Sequence, residues 1–306
     1  MSPRVILLSQ TSGLNNVITP IRHKFDPAAG CLDLSLATNV DIDDTGKPSR
    51  RKGTNELRND DAHSMWSNGY ECYYVSGDAL YQFNADWSRT GLRSGLTLDA
   101  MMSYVYYGGK TYHANGIENG IIYDGADWSW VGEPYVGPET IYHVHTTPPV
   151  GHLLERMGGN MLIAVGNCIH WSLPYAPSWY RLGVDVIRFG TMPTMMAALP
   201  GGVWVSDSDR VYWLQGTDPK QWMAVPQEDS SPAIKGTVLK LDGQALPDTL
   251  RSSGLCVLWT SRDGIIVGTG QGQAINLTRG RLQYSKTSFG AALVVNGNRY
   301  ISSTFE

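Results

Sequence analysis

The sequence predicts an all-β fold: a β-propeller of about six four-stranded antiparallel blades, closed by a composite blade shared between the two ends of the chain. Three observations carry this expectation. The first is composition. The 306 residues include 34 glycines, 10 tryptophans and 16 tyrosines, with 42% hydrophobic and 17% charged residues. Strand-forming aromatics mixed with turn-forming glycine suit many short strands joined by tight turns. The second is a recurring turn dipeptide between apolar runs: Asn68-Gly69, Gly108-Gly109, Gly158-Gly159, Gly201-Gly202, Asp263-Gly264 and Asn296-Gly297. Such pairs supply the positive φ angles of two-residue hairpins. The third is an aromatic residue roughly 18 to 20 positions after each of the first five pairs, namely Trp87, Trp128, Trp179, Trp222 and Tyr284.

Taken in order, residues 1–30 form an arm without clear alternation. Residues 37–43 and 50–53, joined by Asp44-Thr45-Gly46, supply two strands of the composite blade. Five blades are expected over 62–93, 100–135, 151–187, 194–226 and 253–286, each reading strand, turn, strand, turn, strand, aromatic, strand. Residues 292–295 and 299–303 then complete the composite blade, which places Val40 near Val294 and removes two open sheet edges. The propeller thus spans 31–306, with a polar insertion at 227–252 and a smaller excursion at 136–150. The periodic aromatics are expected to wedge between blades, since large rings bury much area.

Composition also excludes classes of function. Apolar content with little charge argues against disorder. A net charge of −4 is not that of a nucleic-acid binder. No apolar stretch reaches about 18 residues, so no membrane span is expected. Met1 to Gln10 lacks the h-region and cleavage site of a signal peptide. Cys31, Cys72, Cys168 and Cys256 form no C-x-x-C pair, so a zinc site is not expected. The last three sit in apolar runs and read as buried free thiols.

The chemical candidates are few. His143 and His145, near Glu139, alternate as two ligands on one strand face would, yet they lack a third ligand and read as loop histidines before Pro148-Pro149. Ser261-Arg262-Asp263-Gly264 resembles part of the Asp-box turn of sialidase-like propellers, without the aromatic that should follow. No pair of carboxylates stands out for glycoside hydrolysis. Gly268-Thr269-Gly270-Gln271-Gly272 opens no helix and reads as a turn, not a phosphate cradle. No catalytic residue, cofactor or metal is assigned. Lys47 to Lys52 is the densest basic cluster, either a solvated edge or a contact with an acidic neighbour or DNA phosphates.

Leu34 to Asp43, running into Gly46-Lys47-Pro48-Ser49-Arg50-Arg51-Lys52-Gly53-Thr54, resembles a pattern near the N-termini of tailed-bacteriophage virion proteins. That pattern is an A-x-N-V-D strand, a glycine turn, then R-R-x-G-T. The group includes tail nozzle and head-to-tail stabilisation proteins, in which this segment starts a β-propeller. The resemblance implies a structural, non-enzymatic subunit of a tail or neck, assembled into the virion in the host cytoplasm. It would form a homo-oligomeric ring that contributes to the genome-delivery conduit, with DNA passing transiently and adaptor, portal-proximal or tail-tip subunits as neighbours. The residues expected to make assembly contacts are Leu14, Asn15, Asn16 and Ile18 in the arm, Arg50 and Arg51 in the basic cluster, and Ile234, Val238 and Leu239 in the insertion. Two other readings remain: a carbohydrate-binding propeller at the tail tip that contacts host glycan, and a glycan hydrolase.

Overall fold

A computed structural model describes residues 10–19, 22–23, 32–43, 45–53, 55–56, 58–132, 145–246, 251, 253–284, 287–295 and 299–305. The chain opens with β1 (Thr11–Leu14), which pairs in parallel with β2 (Leu32–Leu34). A hairpin follows, β3 (Val40–Ile42) against β4 (Pro48–Arg50). Blade one comprises β5 (Ala62–Ser67), β6 (Cys72–Ser76), β7 (Ala79–Phe83) and β8 (Arg89–Arg93). Blade two comprises β9 (Ser103–Tyr107), β10 (Lys110–Ala114), β11 (Asn119–Tyr123) and β12 (Ala126–Trp128). Blade three comprises β13 (Leu153–Met157), β14 (Asn160–Val165), β15 (Cys168–Leu173) and β16 (Ala176–Tyr180), with β17 (Val186–Arg188) also pairing to β15. Blade four comprises β18 (Met195–Leu199), β19 (Gly202–Ser206), β20 (Val211–Gln215) and β21 (Met223–Pro226). Blade five comprises β22 (Leu239–Asp242), β23 (Leu255–Ser261), β24 (Gly264–Gly268) and β25 (Ala274–Asn276). The last pair is the hairpin β26 (Phe289–Val295) and β27 (Arg299–Phe305).

The architecture is therefore a β-propeller of four-stranded antiparallel blades, each strand pairing with the next in sequence. The five described turn dipeptides fall where expected, and Asn296-Gly297 lies outside the described residues. Gly108 and Gly109 have φ of 60° and 78° between β9 and β10, a pair of left-handed positions that glycine occupies without strain.

Apolar clusters join successive blades. Tyr73, Val75 and Leu80 of blade one meet Met102, Tyr104 and Ile122. Val105, Tyr112 and Ile121 meet Leu154, Met161 and Ile163. Leu162, Ile169 and Trp171 meet Met196, Val203 and Leu214. Met195, Trp204 and Trp213 meet Val257, Trp259 and Ile266. Each blade hence offers one face backward and one forward, as period-2 alternation requires. The opposite face of blade five, with Cys256, Leu258 and Val267, is covered in part by Tyr300 of the final hairpin. The Tyr300 hydroxyl donates to the Thr237 carbonyl at 2.9 Å and lies 2.9 Å from the Thr260 hydroxyl.

The composite blade is corrected. Val40 pairs with Arg50 and Val294 with Tyr300, so the two terminal hairpins are separate two-stranded sheets among the described residues. The count is five blades plus these small sheets, not six blades. The β26–β27 hairpin rests on blade five. A one-strand shift within blade five accompanies this. Its first strand, β22, comes from residues expected to be an insertion, and its fourth is Ala274–Asn276, before the segment expected for that place. The fourth strands of blades two and three, β12 and β16, come earlier than expected among the described residues.

Candidate functional site

The first strands of the five blades, β5, β9, β13, β18 and β22, surround a central channel with a cavity of about 810 Å³. The residues that lead into these strands are tied to one another at one mouth. The Met102 amide donates to Ser64 Oγ at 2.8 Å. His152 Nε2 donates to the Pro193 carbonyl at 2.9 Å. Thr194 Oγ1 donates to the Ala233 carbonyl at 3.1 Å, and the Met101 methyl lies against Gly236.

Charge in the channel opposes that of the whole chain. Its described lining holds Arg156, Lys235 and Lys240 against one carboxylate, Glu155. Glu155 is buried and fully engaged. It accepts from the Arg156 amide at 2.7 Å and the Ala198 amide at 3.1 Å, and it pairs with Lys240. Blades three and five are not neighbours, so this ion pair reaches past blade four, on which Glu155 is anchored. Arg156 lies 4.8 Å from the Tyr107 ring centroid and donates to the Gly158 carbonyl. Burial above all pushes the His152 pKa down, the bond to Pro193 opposes this, and the nearby Lys235 charge adds to the fall. Burial likewise lowers the Lys235 pKa from its ordinary value.

The expected assembly residues fall in three settings. Leu14 ends β1, and Asn15 is buried beside it, donating to Asp33 Oδ2 at 2.9 Å. Asn16 is bound to the far end of the chain. Its Nδ2 donates to the Gln283 carbonyl, and its Oδ1 accepts from the Gln283 amide, both at 2.8 Å. Arg281 adds an ion pair to Asp33 at 2.8 Å. The described start of the arm is thus part of the fold, docked beside blade five, while Ile18 is exposed. Arg50 and Arg51 are exposed on the β3–β4 hairpin, where Arg51 pairs with Asp41 at 3.2 Å. Ile234, Val238 and Leu239 are corrected as surface contacts. Ile234 is buried, Val238 packs on the core between blades four and five, and Leu239 lines the channel. Their apolar character serves blade five because the chain enters β22 there.

The periodic aromatics are corrected in part: Trp222 packs against the cluster between blades three and four, but two others do not wedge. Trp87 and Trp128 are 61% and 49% exposed. The rings that wedge blades four and five are Trp204 and Trp259, both fully buried on second strands, with centroids 5.7 Å apart. Both stand in near-continuous apolar strands buried on both faces, without periodic spacing. The glycine run 268–272 serves this packing. A Cβ at Gly272 would overlap the Trp213 indole and one at Gly268 that of Trp204, whose Nε1 donates to the Thr269 carbonyl at 3.0 Å.

Of the other candidates, His143, Glu139 and Cys31 lie outside the described residues. His145 meets Trp179 edge-on at 6.2 Å. Cys256 is buried, whereas Cys72 and Cys168 are half-buried, and all three are free thiols. Ser261 to Gly264 forms the β23–β24 turn, where the Ser261 hydroxyl donates to the Gly264 carbonyl at 2.9 Å. No group of three or more histidine, cysteine or acidic side chains that could hold a metal occurs among the described residues. No described helix is long and apolar enough to cross a membrane.

No protein-family model matches the chain, and no curated protein matches it. Solved structures similar to it include BBS1N, in a complex with ARL6DN, at TM-score 0.47 and 10% identity, over 79% of this chain and 74% of that one. Streptogramin B lyase is similar at TM-score 0.46 and 10% identity, over 81% and 84%. Hsv2 of Kluyveromyces marxianus is similar at 0.46 and 12%, over 80% and 73%. Likeness at this level assigns no function.

Proposed function

We propose that the chain is a structural subunit of a bacteriophage tail or neck and acts without catalysis, its copies forming a ring in the wall or outer attachment of the genome-delivery conduit. One observation carries this reading. The final hairpin turns an apolar face outward, with Phe289, Leu293 and Phe305 at 42%, 50% and 45% exposed. Residues 289–305 contain one charged side chain, Arg299. Among the described residues no apolar cluster joins this face to blade one. Exposed apolar surface on a two-stranded sheet with a single charged residue suits burial by a neighbour, and we assign that neighbour as the next copy in a closed head-to-tail ring. The resemblance to phage virion proteins lies on β3–β4, the other small sheet.

The propeller's own channel carries the Glu155–Lys240 pair and is not the passage proposed for DNA. Genome passage belongs to the lumen enclosed by the ring of copies, with adaptor, portal-proximal or tail-tip subunits above and below. The test is light scattering of the purified 33.6 kDa chain, followed by imaging of whole particles. A closed oligomer placed in a tail or neck supports the proposal. A strict monomer that is absent from particles rejects it.

A second reading, recognition of host glycan at a tail tip, draws support from the exposed rings of Trp87, Trp128 and Tyr175. Saturable binding of host polysaccharide to the isolated protein would favour it, and lack of binding would remove it.

A further inference from the structure

The channel raises a question that the assembly reading does not answer. Lys235 lines the cavity and is half-buried, yet among the described residues it meets no carboxylate and its ammonium makes no hydrogen bond. The other two cations are accounted for, Lys240 by Glu155 and Arg156 by Tyr107 and Gly158. A half-buried ammonium without a counter-charge is costly, and apolar or paired alternatives are the rule. Nothing in the packing needs a cation at this position. The backbone there is already used, with the Gly290 amide donating to the Lys235 carbonyl at 2.8 Å.

The surroundings fit a ligand. The cavity of about 810 Å³ lies within the usual range for small-molecule sites, roughly 300–1,000 Å³. Towards the trailing ends of the inner strands its lining carries the Glu155–Lys240 pair. At the opposite mouth, His152 and Thr194 sit beside Lys235. The inner strands also turn one edge each towards the bore, since in their sheets each pairs on one side only. Those edges offer backbone N–H and C=O groups to a polar ligand. A net positive lining within a chain of net charge −4 focuses anions into the mouth.

We propose that the mouth formed by Lys235, His152 and Thr194 binds a small organic oxyanion, a phosphate ester or a carboxylate, with Lys235 as its counter-charge and the free strand edges meeting its hydroxyl groups. This goes beyond the assembly role and does not depend on it.

The test is isothermal titration calorimetry with glucose 6-phosphate, citrate, inorganic phosphate and, as the uncharged control, glucose. The expected result is saturable binding of at least one organic anion at one site per chain, with glucose weaker by about tenfold or more. Lys235→Met should weaken that anion by about tenfold or more, and Lys235→Arg should keep it within about threefold. Thermal melting of each variant shows that the fold is kept. Binding in Lys235→Met equal to that of the unaltered protein overturns the proposal, as does the absence of saturable binding by both organic anions. Weak binding of inorganic phosphate alone, unaffected by Lys235→Met, also overturns it.

Discussion

The seam between blades four and five and the outward face of the final hairpin are both rich in apolar side chains but are built in different ways. The first buries Trp204 and Trp259 completely, with Met195, Val257 and Ile266 around them. It adds polar ties, among them the Ala233 amide donating to Ser206 Oγ at 2.9 Å. The second leaves Phe289, Leu293 and Phe305 about half exposed. Neighbouring blades meet through a short connection, so burial there costs little loop entropy. Joining the two ends of the chain closes a loop of nearly the whole length, a cost that rises only slowly with length. Length alone therefore does not explain an open seam. The difference lies in side chains: the hairpin packs its Tyr300 face on blade five and leaves its second apolar face without a partner.

The largest effect expected from breaking this comparison comes from the filled seam. Trp259→Ala should cost about 3–5 kcal/mol in chemical unfolding, because a buried indole leaves a cavity between two blades. A cost below about 1 kcal/mol would mean that the seam is not packed as described.

A polar seam should rank next. Arg93 of blade one reaches Asp127 of blade two at 3.4 Å, and His113 Nε2 donates to the same carboxylate at 2.7 Å. His113 is fully buried, and a Cβ at Gly120 would overlap both partners. Asp127→Asn should cost about 2 kcal/mol, the loss of one charge-assisted pair in a buried setting. Equal stability of variant and parent would assign the join between blades one and two to the apolar cluster alone.

How far each region was legible follows from the same physics. Strand periodicity and turn glycines fix blades one to four within a few residues, because both signals are local. Blade five was misread by one strand: Leu239 to Asp242 alternates with polar residues and looks like a solvated loop, and only long-range pairing with Leu255 to Leu258 makes it a strand. Trp87 and Trp128 show that periodic spacing locates a strand, not the face its ring takes. The channel was not legible at all. Glu155 is far in sequence from Lys235 and Lys240, and nothing local marks them as neighbours. The arm was half legible. Asn15 and Asn16 were singled out, but their partners Asp33, Arg281 and Gln283 lie up to 267 positions away.

The arm supplies the next, smaller effect. Arg281→Ala removes the ion pair to Asp33 and the bond to the Ser12 carbonyl, and should cost about 1 kcal/mol. Hydrogen exchange at Asn16 and Gln283 should speed up while blades one to four stay protected. Acid should act in the same direction. The Asp33 pKa is lowered, chiefly by its bond to Ser12, with burial opposing and Asn15, Arg281 and His23 assisting. A carboxylate with a lowered folded pKa contributes stability above its unfolded value of 3.8 and loses it as pH falls through the folded one. The arm should therefore release below that unfolded value, before the blades unfold. Release that is independent of pH would exclude Asp33 as its clasp.

The smallest effect on stability, and the most informative about assembly, belongs to the open seam. Phe289 and Phe305 pair across β26–β27 with ring centroids 5.4 Å apart. Because both are about half exposed, replacing both with serine forfeits part of one aromatic contact and should cost at most about 1 kcal/mol in the isolated chain. If the face is buried by the next copy, the same double variant should lower the mass seen in light scattering towards the monomer while its melting temperature hardly moves. If the face instead closes onto blade one in solution, the variant should lose stability on the scale of the filled seams and leave the mass unchanged. The two measurements together separate a surface held for a neighbour from one that completes the ring within a single chain.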